Sequence, residues 1–289
     1  MIYLLISICC SVTVAILLKL AKRYKINITQ AVTWNYLFAI ALSILFFRPA
    51  LTDFSTASSF NATYLALGTL LPVIFWFLAY SVKHIGIAKT DIAQRLSLFI
   101  PLLASYFLFG EQFSPIKIAG LIIGFLAIFF TLYRKSGTKI QTSALFYPIM
   151  VFIGFGLIDT LFKKVAQITD IPYTSSLIII FAIAFIISLF SIAFQYIIKK
   201  RKPELINFIC GCILGFFNFF NILFYLKAHA AMAENPSIVF AAMNMGVIIL
   251  GSLVGILIFK EKLNKINYFG LSLALLAIIC ITLSRIYSI

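Results

Sequence analysis

Phe109–Ile128, FGEQFSPIKIAGLIIGFLAI, and Phe259–Ile278, FKEKLNKINYFGLSLALLAI, decide how this chain is read. At an offset of 150, Phe109/Phe259, Glu111/Glu261, Ile116/Ile266, Gly120/Gly270, Leu121/Leu271, Leu126/Leu276, Ala127/Ala277 and Ile128/Ile278 coincide. Apolar residues are common in membrane segments and match easily by chance. A Glu and a Gly at fixed places beside a helix end do not. The chain reads as two copies of one unit, and repeats in a polytopic membrane protein point to a transporter whose halves move about a site between them.

Composition agrees. The chain is 63% hydrophobic and 11% charged, outside the range of soluble globular domains. A membrane span needs about 20 apolar residues, and ten segments qualify: 2–20, 30–47, 62–82, 87–109, 114–133, 143–162, 174–198, 205–226, 234–258 and 265–285. The first has no basic n-region and no cleavage site, so it reads as a retained span. The expected fold is an all-α polytopic membrane protein of ten transmembrane helices. Each half has an odd number of spans, so the second copy, 138–289, is inverted relative to the first, 1–137.

The net charge of +15 is a topology signal and an attraction to anionic lipid headgroups, with no nucleic-acid partner implied. Of the 23 Lys and Arg residues, 17 follow odd-numbered spans. The positive-inside rule then puts the odd loops in the cytoplasm and both termini outside. Cys9, Cys10, Cys210, Cys212 and Cys280 all lie in apolar spans without a His or carboxylate at ligand spacing, and imply neither a metal site nor a disulfide framework.

The repeat extends upstream. Tyr80-x-x-x-His84 corresponds to Tyr225-x-x-x-His229 at offset 145, and Lys19 to Lys163 at offset 144. The polar break Arg134–Thr142 divides the halves. The string AYSVKHIGIAKTDIAQRLSLFIPLLASYFLFGEQFSPIKIAGLIIGFLAI, residues 79–128, has Pro101 in the middle of the fourth span and Gly110-Glu111 before a Gly-bearing fifth. With Lys19 closing the first span, it resembles the ten-helix, EamA-like branch of the drug/metabolite transporter superfamily. The second half departs from that pattern, with Lys260-Glu261 for Gly-Glu and Gly251 where the repeat would place a proline. The resemblance implies termini in the cytoplasm, against the charge count. It also implies a carrier of small metabolites, with amino acids, nucleotide sugars and phosphorylated sugars all within the family's range.

Ionisable groups inside spans are the first site candidates, because placing them in hydrocarbon costs several kcal/mol. Asp91, Gln94 and Arg95 share a helix face, and the Arg95 guanidinium, about two turns into the span, can fork onto a carboxylate or phosphate. The alternative is an Asp91–Arg95 pair reaching to the surface. Asp159 is a proton-coupling candidate, or the partner of Lys163 one turn on. Trp76 and Tyr80 in the third span, Asn218, Asn221 and Tyr225 in the eighth, Trp34, Asn35 and Tyr36 in the second and Asn244 in the ninth suit a site for a small polar solute. Interhelical hydrogen bonding is their other use. Glu111 and Glu261, the latter between Lys260 and Lys262, read as structural groups of a loop or helix start. His84 and His229 read as interfacial structural histidines. Gly120-x-x-x-Gly124, Gly211-x-x-x-Gly215 and Gly251-x-x-x-Gly255 read as packing motifs.

The leading expectation is a secondary transporter, working by alternating access on an amino acid or related organic acid. It would lie in the inner membrane of a bacterial cell, as a monomer or homodimer, with small-molecule substrate and lipids as partners and no cofactor. A carrier of nucleotide- or phosphate-bearing metabolites is the alternative, and would need more cavity cations. A structural or assembly protein with a sealed interior is the alternative class. An enzyme is not expected, because HExxH, GxSxG and paired carboxylates on one span are all missing, as is a nucleotide-binding loop for ATP-driven transport.

Overall fold

The structure is a computed structural model and describes residues 2–24, 26–49, 62–85, 87–132, 145–168, 172–198, 200, 202–260 and 264–286. The break Arg134–Thr142 and Glu261 lie outside the described residues. Within them the chain forms eleven helices and no strand: α1 (Ile2–Arg23), α2 (Ile28–Phe47), α3 (Ala62–Ile85), α4 (Ile87–Leu96), α5 (Phe99–Phe107), α6 (Pro115–Leu132), α7 (Phe146–Gln167), α8 (Tyr173–Ile197), α9 (Leu205–Ala231), α10 (Pro236–Leu257) and α11 (Lys265–Ile286). Seven of these, α1, α2, α3, α8, α9, α10 and α11, are long and apolar enough to cross a membrane.

The segment expected to form one fourth span is two helices. Pro101 has no N–H to offer the carbonyl four residues back and its ring crowds that position. The Ser97 carbonyl instead accepts from Ile100 N at 3.0 Å, and Ser97 Oγ donates to the Gln94 carbonyl at 2.6 Å. The helix breaks at Ser97–Leu98. The break leaves Arg95 in the last turn of α4, where the helix dipole favours a cation.

Small residues bring the helices together. α6 and α11 run antiparallel in tight contact. A Cβ on Gly120 would stand 2.8 Å from Ile281 Cγ1, and one on Gly270 would strike the Thr131 backbone nitrogen. Near this second crossing, Asn267 Nδ2 donates to the Phe130 and Thr131 carbonyls at 3.1 and 2.8 Å, covering carbonyls that the end of α6 leaves without helical partners. α2 lies between α8 and α9. It runs parallel to α9, with Gly211 against Ala31 and Trp34 and Gly215 against Asn35, and antiparallel to α8, with Asn27 bonded to Gln195 and Thr33 to Ser188. α3 packs on α7 and α8, α1 on α9 and α10, and α4 and α5 on α7.

Gly110 and Lys260 follow α5 and α10, and both are left-handed, with φ of 65° and 53°. A lysine there costs about 1–2 kcal/mol that a glycine avoids. The departure at position 260 therefore keeps the backbone shape of Gly110 without its residue.

Candidate functional site

A cavity of about 160 Å³ opens where α3, α4, α7, α9 and α10 converge on α1. Its polar lining is Gln94, Arg95, Asp159, Asn218, Asn221, Tyr225 and Asn244, with Ser11 and Ser97; Leu71, Ile74, Phe75, Phe155, Phe162 and Met243 contribute apolar wall.

The helix break delivers Gln94 and Arg95. Arg95 Nε stands 3.7 Å from Asp91 Oδ1, a long contact that leaves the terminal amino groups, which carry four of the five guanidinium donors. Asp159, on α7, accepts from the Tyr225 hydroxyl on α9 at 3.1 Å. Asn221 has its side-chain oxygen 2.8 Å from Ser7 Oγ on α1, so its amide hydrogens are what it can turn to a solute. Asn244 donates its own amide to the Phe240 carbonyl at 3.1 Å and keeps its oxygen. The cavity thus holds one cation, one carboxylate, an amide donor and an amide acceptor between aromatic and aliphatic walls.

The other residues expected at a site do not line it. Asp91 stands beside Arg95, partly exposed. Trp34 packs edge-on against Phe208 with its Nε1 buried and without a partner among the described residues; Asn35 is fully buried with its amide likewise unpaired. Trp76 is half-buried. Tyr80 is exposed and stacks on Tyr147 at 5.7 Å. Ser11 and Ser97 were not singled out from sequence, since an isolated serine in an apolar span carries no pattern.

Glu111 is structural. It is buried, 2.8 Å from Lys117 Nζ, and accepts from the Ser237 backbone N–H at 2.9 Å and from the Ser237 hydroxyl. A carboxylate from the α5–α6 turn thereby caps the N-terminus of α10, where the unpaired amides and dipole favour an anion. Lys117 Nζ also donates to Asn235 Oδ1 at 3.0 Å.

His229 lies in the last turn of α9, at a helix end as its sequence position suggests, and is buried there. α9 continues to Ala231, past the expected end at 226, so His229 lies inside the bundle, fully buried, edge-on to Tyr225 at 4.6 Å and against Phe240 at 4.7 Å. Beside it Lys163, also fully buried, donates to the Ala233 carbonyl at 2.7 Å, with its ammonium 5.9 Å from the Phe109 ring. On the opposite side a second cavity of about 130 Å³ shares Arg95 and Val247 with the first and runs past Gly251 to Lys19, Gly255 and Phe259. Lys19 Nζ stands 3.8 Å over the Phe259 ring.

Residues 1–133 match the EamA-like transporter family. An uncharacterized protein of Haemophilus influenzae is 40% identical over 288 residues, covering 96% of both chains. A solved crystal structure superposes with a TM-score of 0.75 over 99% of this chain and 98% of that one; at 13% identity it shows likeness of fold. Family match and apolarity agree: the chain is an integral, multi-pass membrane protein whose residues 1–133 are those of an EamA-like transporter.

Proposed function

We propose that the chain is a secondary transporter that moves a small polar metabolite, an amino acid or related organic acid, through the central cavity by alternating access. The observation that carries this reading is the pairing of Arg95 and Asp159 in one cavity with Asn221 and Asn244. A guanidinium fork suits a carboxylate, and Asp159 suits an ammonium group or a coupling proton. The volume is close to that of a protein cavity that takes up benzene, about 150 Å³, and admits a solute of that order. With a single guanidinium it favours a carboxylate over a phosphate-rich nucleotide. A polar cavity of this volume also argues against a sealed structural protein.

In this reading ten spans, with α4 and α5 sharing the fourth, form two inverted halves, 1–137 and 138–289. Support comes from three places. The antiparallel α6–α11 contact is reciprocal at offset 150, since Gly120 meets Ile281 and Gly270 meets Thr131. The left-handed residues 110 and 260 stand at the same offset. The neighbours also recur: α1 on α9 is matched by α7 on α3, and α2 on α9 by α8 on α3.

The test begins with a thermal-shift screen of the purified protein against amino and organic acids, because a ligand stabilises the state it binds. With a ligand in hand, Arg95→Lys keeps the charge but loses the planar donors and is expected to lower transport into proteoliposomes by about tenfold or more. A folded Arg95→Ala that transports at the wild-type rate sinks the site assignment. The protein is further proposed to sit in a bacterial inner membrane with both termini outside the cytoplasm, from the cation asymmetry. A fluorescent protein that matures only in the cytoplasm, fused after Ile289, is expected to stay dark; a bright fusion reverses the orientation.

A further inference from the structure

The corresponding residues of the two halves do not share one environment. Tyr225 and His229 are 5% and 0% exposed, whereas Tyr80 is 49% exposed and His84 is exposed, stacked on Tyr147 at 5.0 Å. Lys163 is fully buried and Lys19 is exposed. α7 packs on α9, and among the described residues α1 makes no comparable packing with α3. The differences all run one way. The end of the bundle holding Lys163, His229, Phe240 and the Glu111–Ser237 cap is closed. The end holding Lys19 carries the second cavity, which shares Arg95 and Val247 with the central one.

We infer that Lys163 is a gate latch. Its ammonium, bonded to the Ala233 carbonyl in the α9–α10 turn, holds the end of α7 against α9 and α10 and shuts one mouth of the passage, while the mouth at Lys19 stands open. A charge-assisted bond from a buried lysine to a carbonyl is strong, and it ties two elements that otherwise meet through Tyr225–Asp159 and the ring contacts of Phe162 and Tyr225. It is one turn from Asp159 on the same helix, so the group facing the solute and the group holding the gate move as one rigid piece. The two lysines each stand near a phenylalanine of the other half, Lys163 by Phe109 and Lys19 by Phe259. Lys19 is therefore the group placed to act when the other mouth closes. The inference rests on the cavity being a passage, but its readout needs no substrate, so it can fail without the Arg95 transport test failing.

Two positions on α10 read the two mouths. Ala241, three residues before Asn244, is buried toward the closed end; Gly251, seven after it, lines the second cavity, and a Cβ there meets nothing within 4 Å. Ala241→Cys and Gly251→Cys are labelled separately in nanodiscs with a hydrophilic maleimide, and the modified peptide is located by mass spectrometry apart from the native cysteines. Gly251→Cys is expected to label at least about tenfold faster than Ala241→Cys. Adding Lys163→Ala is expected to raise Ala241→Cys labelling by about tenfold and to slow Gly251→Cys. Lys163→Arg, which keeps a charged donor, is expected to leave Ala241→Cys protected. Equal labelling of the two cysteines in the otherwise native chain overturns the closed-and-open assignment, and this arm does not depend on a lysine variant folding. A folded Lys163→Ala protein, monodisperse by size exclusion, with both rates unchanged overturns the latch.

Discussion

Glu111→Ala is expected to cost about 3–5 kcal/mol of stability, a large share of the margin of most folded proteins. The carboxylate has 1% of its side chain exposed and serves two ends of the structure at once. Its removal leaves the Lys117 ammonium buried without its charge partner and the first amides of α10 without their cap. Losing one member of a buried pair is the expensive case, because the remaining charge keeps its desolvation cost and loses its compensation. The double variant Glu111→Ala, Lys117→Met removes both charges and is expected to recover part of the loss, the α10 cap remaining unmade. Thermal unfolding of the purified variants in one detergent measures it. A single-variant loss below about 1 kcal/mol would place the pair among interactions of surface strength.

Gly270→Ala is expected to cost about 1–3 kcal/mol, the range for overpacking a close-fitted site. The added carbon meets the backbone nitrogen of Thr131, and a backbone cannot turn aside as a flexible side-chain tip can. Gly251→Ala is the internal comparison. Its Cβ enters open space, and exchanging glycine for alanine inside a helix gains about 0.8–1.0 kcal/mol. The two substitutions are chemically identical and should move the unfolding midpoint in opposite directions. Equal shifts from both would show that the α6–α11 approach at Gly270 has room for a methyl group.

Much of this could be read from the chain. Apolar runs of span length gave the membrane class, and the residues around Pro101 and Gly110-Glu111 gave the family. Arg95 and Asp159 stand out because burying charge in hydrocarbon demands a partner, Gln94 shares the Arg95 face, and Asn221, Tyr225 and Asn244 stand out as polar groups in apolar spans; all six line one cavity. Trp34, Asn35, Trp76 and Tyr80, which the same polar and aromatic pattern marks, lie elsewhere. An aromatic ring in a membrane helix can face lipid, a neighbouring helix or a solute, and helical spacing fixes which residues share a face without fixing where that face points. The end of α9 moved for a related reason. Hydropathy locates the apolar centre of a span well and its ends poorly, and α9 runs five residues past 226 to Ala231, with His229 in its last turn. The Glu111–Lys117–Ser237 cluster was beyond sequence because its members meet across 126 positions.

The α6–α11 pair has a mechanical consequence. A rod pinned to another at two separated points cannot slide along it, and it cannot change its crossing angle without prying one pin loose. Gly120 on Ile281 and Gly270 on Thr131 are two such pins, set near opposite ends of the pair. What they leave is swivelling about the line that joins them. In the proposed alternating access this pair is therefore placed to serve as the axle, with displacement growing with distance from it.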